Sequence, residues 1–282
     1  MVSYRRLAGP IIGASVLILL FLATDPTKIV GYLSHVDPVY LVFAALTEIV
    51  GGFLYSFAWF VILKPSGVKI SFRQTYLITM GSLFLIYTTP TGVAAEAARI
   101  AMVRKHAQGD VGAPAASVII HRVIYALGFV SVAGVATLLV YGALSGSPFL
   151  HTVVVAFATT LVIVILVLAL VARAKGFRGV VKRLAGKLAP IVSKITGSKE
   201  ALDLSSVDRA FDTFEGAVNR MRRSPLRLIT SYLVIAVRWT LVSVVALLVM
   251  YSIGYHGISI WAIMVVMMIA EIVSTTPIGV PG

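Results

Sequence analysis

Two acid–base pairs in this sequence lie within or beside long apolar segments, where an isolated charge is costly. Glu96 and Arg99 follow a break in one apolar segment at a spacing of three residues, so a helix places them on one face. They can pair with each other or hold a charged group. Glu48 and Arg238 lie near the middle of two other apolar segments and are expected to form a neutralised buried pair, which could be purely structural.

Two further charges are candidates for a polar site. Arg122 stands beside His121, nine residues into an apolar helix, and its planar guanidinium could grip a phosphate bidentately or extend to the membrane interface. Glu271 lies four residues before a Thr-Thr pair. Charges inside hydrocarbon usually face a cavity or one another, so both residues are counted as candidate substrate-binding groups.

A short motif interrupts the apolar pattern twice. Thr88-Thr89-Pro90-Thr91-Gly92 recurs as Thr275-Thr276-Pro277-Ile278-Gly279, each time after a short apolar run. Proline removes a backbone donor, so such a break within a membrane is tolerated only where protein or a wet cavity surrounds it. Paired interruptions of this kind point to a binding site at the membrane midplane. The candidate residues at the breaks are Thr88, Thr89, Pro90, Gly92, Pro277 and Gly279.

The composition is that of a polytopic membrane protein. Hydrophobic residues make up 59% of the chain and charged residues 12%, against about 25% in soluble proteins, and the mean hydropathy is +0.98. The absence of cysteine excludes disulfides and thiolate chemistry. The histidines show no ligand spacing, so no metal site and no cofactor are expected.

The apolar segments predict an all-α fold. At about 20 residues per crossing, residues 9–23, 38–63, 113–144, 150–172 and 228–253 are predicted to be full spans. Residues 77–87 and 260–274 are shorter and run into the two breaks, so they are predicted to be half-helices of re-entrant hairpins. The whole chain, 1–282, is interpreted as one transmembrane domain.

The distribution of positive charge predicts the orientation. The loops expected on one side carry nearly all the Lys and Arg, whereas the opposite loops contain one basic residue, Lys28. We therefore expect a multi-pass protein of the cell membrane with a cytoplasmic N-terminus. The net charge of +13 then reflects membrane topology, and no nucleic-acid partner is expected. The two half-helices should enter from opposite sides, as in an inverted repeat.

Residues 173–227 form a basic cytoplasmic insertion with thirteen Lys or Arg and five acids. Apolar residues recur in it at helical spacing, which predicts two amphipathic helices. Two interpretations remain open: a sensor of anionic lipids in the inner leaflet, or an ordinary cytoplasmic hairpin. The tryptophans, expected at membrane interfaces or in helix packing, are Trp59, Trp239 and Trp261.

The chain resembles the flippase-like transmembrane domain of lysylphosphatidylglycerol synthases and related membrane proteins, including an archaeal glycosylation-pathway member. The resemblance rests mainly on residues 89–99, similar to a Pro, small-residue, Glu-x-x-Arg signature. Weaker marks are Ala58-Trp59, residues 117–122 and residues 274–282. His121 and Tyr125 stand where the family often has acids. The resemblance implies a C-terminal element that continues past Gly282, and the aminoacyl-transferase domain is absent, so synthase activity is not expected.

The sequence favours a lipid transporter or flippase that moves an anionic or phosphate-linked lipid between leaflets. Membrane lipids with anionic headgroups are the expected partners, and a homo-oligomer is compatible with the chain. A membrane-embedded transferase acting on a lipid-linked sugar is an alternative, although acids are too sparse in the apolar segments for a convincing base or metal cluster, and we do not expect an enzyme. An ion or proton carrier using Glu48 and Glu271 is a third hypothesis.

Overall fold

The computed structural model describes residue 31 and residues 36–88, 92–144, 146, 148–172 and 204–275. The described residues contain helices and turns and no strand. The α-helices are α1 (Pro38–Ser66), α2 (Phe72–Thr88), α3 (Gly92–Arg104), α4 (Gly112–Leu144), α5 (Pro148–Ala172), α6 (Leu204–Arg222), α7 (Pro225–Ser252) and α8 (Ile260–Thr275). The all-α prediction is therefore confirmed.

Three of the described helices are long and apolar enough to cross a membrane, namely α1, α4 and α7. They coincide with three of the predicted spans. The predicted span at residues 150–172 falls on α5, a 25-residue helix. The predicted span at residues 9–23 lies outside the described residues.

Helices α1 and α7 form an antiparallel pair that organises the bundle. At one end the Asp37 amide donates to the Ser252 carbonyl (2.8 Å), which ties the start of α1 to the end of α7. The Asp37 side chain also accepts from the Val39 amide (2.9 Å) and so caps α1. At the other end, Gly67 adopts a φ of +95°, a left-handed conformation that suits glycine and ends α1.

Helix α4 passes through the core beside this pair. A Cβ on Gly128 would come within 2.6 Å of the Ile235 side chain on α7, so only glycine allows the two helices to approach this closely. At its start, Asp110 accepts from the amides of Gly112 and Ala113, both at 3.1 Å. Thr213 of α6 donates to the same carboxylate (2.8 Å), which fixes α6 against the end of α4.

Helices α2 and α3 form a hairpin around residues 89–91, and they pack against each other. The Lys69 amide, just before α2, donates to the His106 carbonyl, just after α3, at 3.3 Å. The start of α2 and the end of α3 therefore lie next to each other. Helix α2 begins at Phe72, five residues before the predicted half-helix, because Ser71 and Gln74 form reciprocal capping hydrogen bonds that hydropathy does not register.

Basic residues collect at the end of the bundle where α1 ends and α7 begins. The ends of α1 and α6 meet there because Arg220 of α6 donates to the carbonyls of Pro65 (3.3 Å) and Ser66 (2.6 Å) of α1. Basic residues of this end include Lys64, Lys69, Arg73, Arg104, Lys105, Arg222, Arg223 and Arg227. Helix α8 starts beyond the opposite end, after α7 has crossed the bundle.

The second of the two predicted amphipathic helices corresponds to α6, and its apolar stripe is not free to insert into lipid. Ala217, Val218 and Met221 are buried, and Phe214 packs against the same core. Helix α6 contacts α4 and α1, so the protein itself covers this face. The first predicted amphipathic helix of the basic insertion lies outside the described residues.

The hairpin geometry yields a labelling prediction. The natural chain has no cysteine, so Lys105→Cys after α3 and Gly257→Cys between α7 and α8 each introduce a single reactive thiol. We expect a membrane-impermeant maleimide to label K105C only from the cytoplasm and G257C only from outside. Labelling after detergent solubilisation serves as the control for reactivity. Labelling of K105C from outside would mean that only one arm of α2–α3 crosses the membrane.

Candidate functional site

Glu96 on α3 is the centre of a partly buried ionic cluster. Its Oε2 atom lies 3.0 Å from a terminal guanidinium nitrogen of Arg99, one helical turn later on the same face. Its Oε1 atom pairs with Arg122 of α4 through both Nε and a terminal nitrogen. The predicted Glu96–Arg99 pair is therefore present, and Arg122 joins it from a second helix. One carboxylate thus receives two guanidinium groups.

Arg99 is enclosed by aromatic side chains and a histidine. Only 1% of its surface is exposed. Its guanidinium donates to the Tyr55 hydroxyl (3.4 Å) and lies 3.9 Å from the centre of the Trp59 ring, a cation–π geometry. A terminal nitrogen lies 3.3 Å from Nδ1 of His121. Because arginine can only donate, Nδ1 must accept, and His121 carries its proton on Nε2.

The ring of Trp59 is held in place by α4. Its indole Nε1 donates to the Ser117 hydroxyl (3.2 Å), which in turn donates to the Pro114 carbonyl (2.7 Å). Trp59 is fully buried, so the predicted alternative of an interface position is wrong for this residue. Because the Trp59 ring packs against the buried Arg99 guanidinium, it does not lie at the membrane surface.

Two polar atoms of the cluster are buried without a hydrogen-bond partner in the described part of the chain. They are Nε of Arg99 and Nε2 of His121. Both are donors, since arginine has only donors and the His121 tautomer puts its proton on Nε2. The cluster thus has spare donor capacity in an apolar environment, where an unmet donor is costly.

The cluster lies well inside the bundle. Trp59 is seven residues from the end of α1, Glu96 is eight from the end of α3 and His121 is nine from the start of α4. All three helix ends lie at the basic end of the bundle. At 1.5 Å per residue, the cluster is about 10–14 Å from that end.

Arg122 is the accessible member of the cluster. Its side chain is 38% exposed, compared with 17% for Glu96. Glu271 of α8 lies within electrostatic range of Arg122 and of the neighbouring Tyr125. Helix α8, which enters from the opposite end, thus brings a second carboxylate towards the cation that is open to ligands.

The Glu48–Arg238 pair forms as predicted, with a distance of 2.7 Å. The expectation that it is buried is wrong, because the Glu48 side chain is 54% exposed on the outer face of α1. Arg238 lies against Gly51, where a Cβ would come within 2.8 Å of its guanidinium. This pair joins α1 to α7 and is not in contact with Glu96.

The structure describes only some of the predicted site residues at the two breaks, namely Thr88 and Gly92. Helix α2 ends at Thr88 and α3 begins at Gly92, four residues before Glu96. The other predicted site residues at the breaks lie outside the described residues: Thr89, Pro90, Pro277 and Gly279.

Tyr55, Trp59 and His121 were not predicted as site residues. Trp59 and His121 fell within segments that carried the family resemblance, but their types alone did not indicate contact with Arg99. The spacing of apolar residues also gave no information about which faces of α1 and α4 meet α3. Within the described residues, no group of three or more His, Asp or Glu side chains is arranged to hold a metal ion.

The fold and this cluster define a multi-helix membrane protein with a charged site inside an apolar bundle. The chain belongs to the family described as the lysylphosphatidylglycerol synthase TM region, which it matches over residues 6–281. It is 22% identical over 272 residues to a UPF0104 membrane protein of Archaeoglobus fulgidus, covering 95% of this chain and 81% of the relative. No solved structure matches the chain. The membership indicates a role related to membrane lipids.

Removal of Arg99 should destabilise the fold. Arg99→Gln deletes the cation that Glu96, Tyr55 and Trp59 surround, so we expect the free energy of unfolding in detergent micelles to fall by about 3–5 kcal/mol. Arg104→Gln on the same helix is the matched control, because Arg104 is exposed and donates to a single carbonyl. Its loss should be about 1 kcal/mol. Equal losses in the two variants would show that the cluster does not stabilise the bundle.

Proposed function

We propose that the protein moves a phosphate-bearing lipid between the leaflets of the cell membrane, with the Glu96 cluster as the headgroup site. The observation that carries this proposal is the convergence of Arg99 and Arg122 on one carboxylate inside an apolar bundle. Two guanidinium groups offer ten N–H donors, and Glu96 accepts only some of them. A ligand rich in acceptor oxygens complements this surplus.

Arg122 is suited to make the first contact with such a ligand. Its guanidinium combines a fixed fork geometry with partial exposure, and a phosphate can accept from it bidentately. Arg99 is too deeply buried for that role and acts by holding Glu96. The start of α3 at Gly92 adds the positive end of a helix dipole near the same carboxylate.

The hairpin offers a route to the site. In this proposal α2–α3 is re-entrant, its open end faces the cytoplasm and its break reaches the membrane interior. Helix α8 approaches from the other side and brings Glu271 near Arg122. Two interrupted elements that meet at a charged site are the arrangement expected of transporters with inverted repeats.

Transport accounts for the cluster better than catalysis does. Both oxygens of Glu96 are engaged by arginine, so this carboxylate is not free to take a proton from a substrate. The family description names a phospholipid synthase, which supports a lipid as the cargo, while the chain is proposed to act as a carrier and not as an enzyme. In this proposal the N-terminus is cytoplasmic.

Replacement of the exposed arginine tests the proposal. In proteoliposomes, Arg122→Gln should slow the translocation of an anionic phospholipid or a polyprenyl phosphate by about tenfold or more, because a charge-assisted contact contributes about 1.5–3 kcal/mol. Arg122→Lys should restore the rate only in part, since lysine lacks the fork. Arg73→Gln, an exposed arginine at the start of α2, is the matched control and should leave the rate unchanged.

A neutral diacylglycerol provides the second comparison. It should be a poor substrate and should not compete with the charged lipids. Equal movement of charged and neutral lipids, unaffected by Arg122→Gln, would show that the arginines serve the structure alone. Release of a modified lipid product instead of translocation would favour the transferase.

A further inference from the structure

A groove at the basic end of the bundle is separate from the Glu96 cluster. It lies where α1 ends and the chain turns from α6 into α7, and its volume is about 620 Å³. The described residues that line it are Lys64, Pro65, Gly67, Arg220, Arg223, Ser224, Pro225, Leu226 and Arg227. Four of them are cations and none is acidic.

One of these cations is fixed by hydrogen bonds, and the other three make no ion pair within the described residues. Arg220 donates to the carbonyls of Pro65 and Ser66, so its position is set by the last turn of α1. Lys64, Arg223 and Arg227 are exposed, and they form no ion pair with any residue of the described ranges. The groove therefore combines a rigid floor with three cations that no described carboxylate neutralises.

The start of α7 adds the positive end of its helix dipole to the same place. Ser224 occupies the N-cap position, but its side chain does not cap the helix. Its hydroxyl instead donates to the Arg220 carbonyl (3.3 Å). The positive end of a 28-residue helix thus opens beside the basic side chains, and both favour an anion.

An exposed apolar line runs from the groove along α7. It starts at Leu226, which is 77% exposed, and continues at helical spacing on one face. The members of this line are Leu226, Ile229, Leu233 and Val237. A free phosphate would use only the groove. A phospholipid would use both features, with its phosphate among the cations and an acyl chain along the apolar line.

We propose that this groove binds one anionic phospholipid of the cytoplasmic leaflet as a resident lipid at the junction of α1, α6 and α7. The site differs from the transport site in position and chemistry: it lies at the bundle end, about 10–14 Å from the level of the Glu96 cluster, and no described carboxylate lines it. The bound lipid would hold the α6–α7 turn against the end of α1. The apolar stripe of α6 is already buried, so recognition depends on this groove and not on insertion of α6.

The test compares two double variants with the same charge change. Arg223→Gln with Arg227→Gln removes two cations of the groove. Arg73→Gln with Arg222→Gln removes two exposed cations at the same end of the bundle, neither of which lines the groove. Retained lipid is measured by native mass spectrometry of the full chain with dioleoylphosphatidylglycerol, with dioleoylphosphatidylcholine, and with soluble glycerol phosphate.

We expect the native chain and the control variant to retain one phosphatidylglycerol in preference to phosphatidylcholine. The groove variant should bind it about 25-fold more weakly, since it lacks two basic residues that contribute about fivefold each. Equal weakening in both double variants would show only a general attraction of the basic end for anionic lipid and would overturn the proposal. Equal retention of phosphatidylglycerol and phosphatidylcholine would also overturn the proposal. Competition by glycerol phosphate at the same concentration would show a phosphate site without lipid recognition and would overturn the lipid assignment.

Discussion

The bridge from Glu96 to two arginines is the interaction on which the interior of this protein depends. Glu96 and Arg99 belong to the returning arm of the hairpin, and Arg122 belongs to α4, so the ion pairs hold the hairpin against the bundle. In an apolar interior an unpaired charge is expensive, and each partner therefore needs the others to remain in place. Trp59 and Tyr55 complete the enclosure from α1.

The structure divides its charges between two levels. At the level of Glu96 they are paired across helices, and Arg99 is fully buried. At the basic end, about 10–14 Å away along the helices, arginines and lysines are mostly exposed, and those of the described residues contact backbone carbonyls or an aromatic ring but no carboxylate. Paired charges inside suit selection of a headgroup, whereas unpaired charges at the end suit attraction of anionic lipid.

Glycine acts here through geometry more than through flexibility. Gly128 allows α4 to touch α7, and Gly51 leaves room for the Arg238 guanidinium. At each position a Cβ atom would collide with a side chain of α7, so glycine permits the close approach. Close contacts between helices also gather two arginines around the carboxylate of Glu96.

The sequence alone determined the membrane class, the all-α fold, the positions of the main helices and the Glu96–Arg99 pair. These depend on local properties: apolar length, charge placement and i, i+3 spacing. Only the tertiary structure decided that Trp59 and His121 surround Arg99, that Arg122 reaches Glu96, and that Glu48 faces outward. These facts depend on which helix faces meet, and α1 and α4 are apolar on nearly every face, so their sequences carry no periodic signal that selects one.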